Sequence, residues 1–403
     1  MKTTWPVLLG LLLLATPPAV QAQFTYTTNN GAITLAGYTG SGGAVVISNF
    51  VTSIGTNAFY GVTSLTGVTI PGSVTNLGSN AFARCSSLTS ATLANGLTSI
   101  GAQAFFLCPR LTSLTVPDSV TSIGQEAFDQ CISLTNAVIA NGVTSIGADA
   151  FFSCTNLTSV TIPSSVTNLG TEVFGSCFGL TNVTISTGVT SISGDAFSLC
   201  HSLTSVTIPG SVTNLGTNAF QACTSLTNVT FAKGLTSIGA QAFFFCLHLT
   251  SVTIPNSVTN IGAGAFESCY GLTNVYFEGN VPTVGLDVFL ADNFNVLTTY
   301  YLPGSTGWSL SFWGYGVPPA GPAAVLWNPL IQTGDGGFGV KGNQFGFNIA
   351  GTANIPIVVE ACTNLANPVW TPLQSLALTN GLFYFSEPVQ TGITGRYYRI
   401  GSQ

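Results

Sequence analysis

The chain has 403 residues, of which 5% are charged, with 7 Lys and Arg against 13 Asp and Glu, a net charge of −6 and a pI near 4.6. So few cations leave no basic patch to neutralise phosphates, which argues against nucleic acid or an anionic membrane as partner. With 46 Gly and an excess of Thr, Ser and Asn, the surface must owe its solubility to uncharged polar groups.

In chain order, residues 1–22 read as a signal peptide. Met1 and Lys2 lead into the apolar run Val7 to Ala15, and Val20 and Ala22 fit a cleavage site before Gln23. The run is much shorter than the roughly 20 residues a spanning helix needs. We therefore expect no transmembrane segment after signal removal, and an extracytoplasmic location, secreted or at the cell surface. Residues 23–50 precede the next feature, which dominates the chain.

Cys85, Cys108, Cys131, Cys154, Cys177, Cys200, Cys223, Cys246 and Cys269 recur every 23 residues without insertion or deletion. A strict period of this length marks a solenoid, in which each unit buries its apolar edge only by stacking on the next. Leu follows three residues after every such cysteine, from Leu88 to Leu272. Aliphatic pairs such as Val160 and Ile162, split by one Thr, predict a short strand with one buried face. A second strand is expected at Val166 to Gly170 and its equivalents. Phe82, Phe105, Phe128, Phe151, Phe174, Phe197, Phe220, Phe243 and Phe266 then close each unit, three residues before a cysteine. An earlier unit has Phe59, with Val62 in the cysteine's place, and a decayed one ends at Phe289, so the array is assigned to 51–289.

A longer period of 46 residues overlies the first. The turn after the first strand alternates between Pro71, Pro117, Pro163, Pro209, Pro255 and Ala94, Ala140, Ser186, Ala232. In the second type, Gly96, Gly142, Gly188 and Gly234 are expected to supply a positive φ. In the first type, proline fixes φ instead.

The run from Leu157 through Val160, Ile162, Pro163, Val166, Leu169, Gly170 and Phe174 to Cys177 resembles the BspA-like class of bacterial leucine-rich repeats. That resemblance covers about 51–289 and implies surface-exposed binding or adhesion, with no catalytic residues to carry over. Ile33-Thr34-Leu35 and Gly37-Tyr38-Thr39-Gly40 resemble the lead-in that caps such arrays, which makes 23–50 an N-terminal cap.

Past Phe289 the period is lost. Tyr300, Tyr301, Trp308, Phe312 and Trp313 suggest a C-terminal cap, followed by the Pro-rich joint from Val317, so 290–322 is read as cap and linker. Residues 323–403 hold alternating runs at Phe345 to Ile349, Ile355 to Ala361, Trp370 to Leu378, Leu382 to Ser386 and Arg396 to Ile400. Turn signals between them suit a small antiparallel β-sandwich. The expected fold class is thus a β-rich solenoid, a leucine-rich repeat array of short parallel strands and helical turns, with that sandwich appended.

Three columns are candidates for chemistry. The nine repeat cysteines point one way, and the tenth, Cys362, lies in another module, so no disulfide scheme suggests itself. Zinc would need converging His or Cys, and His201 and His248 are 47 residues apart. Buried, unreactive thiols lining the core with the Phe column are the expectation. Glu126, Asp149, Glu172 and Asp195 share one repeat position on successive rungs, a weak Ca²⁺ candidate. The alternative places each at the start of a helical turn, fanned into solvent, where negative charge is favourable. Thr92, Thr115, Thr161, Thr184, Thr207, Thr230 and Thr253 form an outward hydroxyl row that could accept sugar hydroxyls or simply suit an exposed strand.

No nucleophile elbow, metalloprotease helix, phosphate loop or cofactor motif is present. The reading is an exported, non-catalytic protein without cofactor that binds an extracellular protein or surface glycan through the solenoid surface. A carbohydrate-binding accessory with the repeats as spacer, or a structural surface-layer component, are the alternatives.

Overall fold

The computed structural model describes residues 23–290, 297–308, 323–366, 368–389 and 395–401. The expected signal peptide, and Phe312 and Trp313 of the expected cap, lie outside the described residues.

Each repeat is one turn of a solenoid with three flanks. On the first flank, four-residue strands such as Ser113–Val116, Ser159–Ile162 and Ser205–Ile208 pair in parallel. Their residues alternate exposed and buried, as the sequence pattern required. A nine-stranded sheet runs from Gly43–Val46 to Asn228–Phe231, and a four-stranded sheet continues from Ser251–Ile254 to Ala323–Leu326. Two strands beyond the last clear repeat, Thr298–Tyr301 and Ala323–Leu326, extend this flank in parallel register. On the second flank the strands are only two residues long, as at Ser99–Ile100 and Ser122–Ile123, rather than the five expected. Five of them join the longer strands Phe24–Asn29 and Ala32–Tyr38 in a seven-stranded sheet, and five more form a second sheet. The break falls at Asn168 and Leu169, which make only isolated bridges.

The third flank departs from expectation, because it contains no helical turns. Among the described residues the one helix is the short 3₁₀ turn Thr379–Gly381 in the C-terminal module. The physical reason is where the backbone N–H groups go. Those of Glu126, Phe128 and Gln130 donate to Ala148, Ala150 and Phe152 of the next rung, at 2.9, 2.8 and 2.9 Å. A helix would have kept them within its own chain segment. Glu126 and Gln130 also sit in the left-handed region, at φ 54° and 57°, and the same two positions are left-handed in rung after rung.

Inside, the repeat phenylalanines form one stack. From Tyr38 through Phe59 to Phe289, ring centroids are 4.8 to 5.5 Å apart with planes within 27°. The buried side chains from Leu35 to Leu297 make a single cluster, which is what stacked units of one geometry produce. The N-terminal end is closed by a hairpin, Phe24–Asn29 with Ala32–Tyr38, turning at Asn30-Gly31 with both φ positive, 48° and 83°. Its second strand pairs with Ser53–Ile54 and so begins the second flank.

The 46-residue period has a structural meaning on the first flank. Where a proline-type rung is followed by the other type, all four residues pair, as in Ser159–Ile162 with Asn182–Ile185. Going into a proline-type rung, pairing shrinks to Ser90 with Ser113, or Asn182 with Ser205. Proline lacks the N–H that Ala94, Ser186 and Ala232 donate to the carbonyl of Ile70, Ile162 and Ile208. A serine two residues after the proline compensates in part: Ser119 accepts from the Gly96 N–H at 2.9 Å and donates to Leu97 O at 2.7 Å. The glycines of the other type need a different account from the one expected. Gly96 and Gly234 are left-handed, at φ 122° and 136°, but Gly142 and Gly188 are not. What all four share is close approach, since a Cβ would lie 1.6 to 2.0 Å from a carbonyl oxygen of the preceding rung.

The C-terminal module pairs Gln344–Ala350 with Leu330–Gln332, Gly339–Lys341 and Leu382–Pro388, and Pro356–Cys362 with Thr371–Ala377 and Tyr397–Gly401. These two antiparallel sheets share a core around Phe347, Ile349, Ile357, Val359 and Phe385. That core also takes in Tyr276 and Tyr300 of the first flank, so the module is packed on the solenoid's side.

Candidate functional site

The structure sorts the repeat threonines into three rows with different work. On the first flank, Thr89, Thr112, Thr135, Thr158 and Thr181 each donate their hydroxyl to the carbonyl of the threonine one rung back, at 2.9 to 3.2 Å. On the second flank, Thr75, Thr98, Thr121 and Thr144 do the same, at 2.8 to 3.2 Å. These rows staple rung to rung. The outward row singled out from the sequence, Thr92, Thr115, Thr161, Thr184, Thr207 and Thr230, is exposed and takes part in neither ladder. Ser90, Ser113, Asn136, Ser159, Asn182, Ser205 and Asn228 flank it, also exposed. The row ends by changing character. The positions that follow Thr253 in register are Tyr276 and Tyr300, stacked at 4.9 Å and covered by the C-terminal module.

All nine repeat cysteines, and Cys362, are free and buried. Each repeat thiol donates to the carbonyl of the phenylalanine 26 residues earlier, at 3.1 to 3.3 Å, as Cys154 does to Phe128. Burial pushes the thiols of Cys131, Cys177 and Cys223 up to about 12, so thiolate chemistry is suppressed at neutral pH.

The carboxylate column lies on the third flank, in left-handed turn positions rather than at a helix start. Glu126, Asp149, Glu172 and Asp195 are half-buried. Desolvation, and then Glu126, raise Asp149, while desolvation, Asp149 and Asp195 raise Glu172. Gln103 and Gln125 donate amide N–H groups to Glu126 at 2.6 and 3.0 Å. Asp129, which the sequence did not single out, joins this group: it is buried, with Oδ1 unpartnered, and desolvation followed by Glu126 pushes it up to about 6. Among the described residues no three acidic, His or Cys side chains converge as cation ligands.

His201 stacks on Phe178 at 5.0 Å, and His248 Nδ1 lies 2.5 Å from Thr224 O. Sequence reasoning also missed an exposed apolar strip beside them, with Ile132, Phe178, Leu199, Phe245 and Tyr270 each more than a third exposed. The signal was available, since large apolar residues stand at repeat positions where other rungs carry Thr or Ser.

The "BspA type leucine rich repeat region" matches in six copies over 52–180, 98–227 and 167–296. The chain belongs to that family. Among solved structures, this BspA-type protein is similar to a leucine-rich repeat protein from Bacteroides ovatus, at 24% identity and TM-score 0.44, over 70% of this chain and 94% of that one. A leucine-rich cell surface protein from Faecalibacterium prausnitzii shares 27% identity, with TM-score 0.40, over 72% and 96%. The pneumococcal vaccine antigen PcpA shares 18%, with TM-score 0.47, over 77% and 93%. No curated protein matches the BspA-type chain.

Proposed function

We propose that this protein is an exported, non-catalytic binder that recognises an extracellular protein or a surface glycan through the first flank of its solenoid, in adhesion or recognition. One observation carries the reading: two threonine rows are consumed in holding rungs together, while the third stands exposed beside a row of Ser and Asn. A hydroxyl and amide surface of this kind offers donors and acceptors at a fixed rung spacing to a partner of many hydrogen bonds. The N-terminal pattern of residues 1–22 supports export. No described helix is long and apolar enough to cross a membrane.

The test is surface binding by the full chain to immobilised extracellular proteins and glycans, with Thr115→Glu and Thr161→Glu combined. The expected result is at least tenfold weaker binding and a melting temperature unchanged within about 2 °C, because exposed substitutions away from structural contacts stay near ±0.5 kcal/mol. Binding that survives this change but is lost with Phe178→Ser would move the site to the third flank.

A further inference from the structure

A cleft of about 770 Å³ opens where the outward hydroxyl row meets the C-terminal module. One wall is the first flank, with Thr230, Ser251 and Thr253. The other is one face of the three-stranded sheet, where Ser375, Val358 and Gly401 form one cross-strand row and Pro372, Glu360 and Arg399 the next. Tyr276, Tyr300 and Trp327 also line it, fixed by stacking and edge contacts at 4.9 and 6.0 Å.

One further observation points to a ligand here. It is the Arg399–Glu360 pair, joined at 2.6 Å, with the guanidinium 4.5 Å above the Trp370 ring and half of the arginine side chain exposed. Only part of the pair's capacity is used in that bond, so it still offers several donors and acceptors side by side.

We propose that this cleft binds a neutral oligosaccharide, an inference that rests on the first flank being the recognition surface. The volume is that of an ordinary ligand site. The walls present hydroxyls and a self-neutralised ion pair, which match vicinal sugar hydroxyls that both donate and accept. An anionic ligand would meet Glu278 and Glu360 against a single, already paired Arg399. A peptide would look for an open apolar anchor pocket, and here the lining rings of Tyr276, Phe277 and Tyr300 are buried.

The test is calorimetry of the full chain with cello-, xylo-, manno- and chito-oligosaccharides. The wild type is expected to bind at least one series. Thr230→Val with Arg399→Gln should weaken that binding at least tenfold, while Leu286→Ser, exposed on the third flank, should hold it within twofold. No binding of any series, or binding indifferent to the cleft variant, overturns the proposal. If the Thr115 and Thr161 variant nonetheless loses surface binding in the preceding experiment, the flank reading stands and only the cleft assignment falls.

Discussion

The repeat array and the C-terminal module are held together in opposite ways. In the array every stabilising contact is made many times over: Phe on Phe, Cys thiol to Phe carbonyl, Thr hydroxyl to Thr carbonyl, each one rung apart. Both ion pairs among the described residues lie in the module, and its contacts are single. Arg396 and Tyr398 converge on Glu387, Asn348 donates to Asp335 at 2.7 Å, and the Thr352 N–H donates to Asn328 at 2.8 Å. Repetition lets an uncharged chain build a long core from weak contacts, whereas a small sheet module leans on a few polar ties that no neighbour duplicates.

This comparison can be read separately at each end of the molecule in a Trp308→Phe, Trp313→Phe background, because residues 23–289 hold nine cysteines and no Trp, Trp308 packs on the last rungs of the array, and Trp327 and Trp370 lie in the module. The largest effect should come from Phe151→Ala in mid-stack. Removing a fully buried ring costs about 3–5 kcal/mol and should expose Cys154 and Cys177 to a thiol reagent at lower urea, with the Trp fluorescence midpoint little moved. Glu387→Gln should do the reverse. It removes the charge that half-buried Arg396 and Tyr398 both meet, costs about 2 kcal/mol, and lowers the Trp midpoint while the array thiols stay protected.

Asp129→Asn sharpens the picture through pH. The folded carboxyl titrates at about 6, above its ordinary value of 3.8, so the folded state binds more protons between those values and stability falls as pH rises through that window. The variant should flatten that slope and gain about 2 kcal/mol at pH 7, read from urea midpoints at pH 4, 5, 6 and 7. Thr158→Val, which removes one hydroxyl staple of 3.1 Å at an exposed site, should cost only about 0.5 kcal/mol.

What could be read from the sequence follows the same division. The Phe, Leu and Cys columns and the first strand were legible because a period of 23 makes one buried position recur nine times. The threonine staples at Thr121 and Thr135 are as periodic, yet a Thr on an exposed strand looks the same whether its hydroxyl meets water or a carbonyl. The third flank was misread as helical although Asn80, Asp149, Asn218 and Gly264 share one position, and those residue types tolerate a left-handed turn. The break near Asn168 has a local cause visible only in space: the glycine column beside it carries Ser193, whose hydroxyl turns back to Leu169 O. In the module, the five alternating runs fall on strands, but Leu330–Gln332 and Gly339–Lys341 are too short to show a pattern. The cleft was illegible for a plainer reason, since its walls come from rungs and strands more than 100 residues apart.

Alkylation of the native, non-reduced protein followed by intact mass tests the shared interior most directly. The nine repeat thiols should gain no adduct and show no disulfide mass loss until denaturant is added, and then all should react. Rapid labelling, or paired oxidation, of these cysteines in the folded protein would contradict a core that runs unbroken from rung to rung.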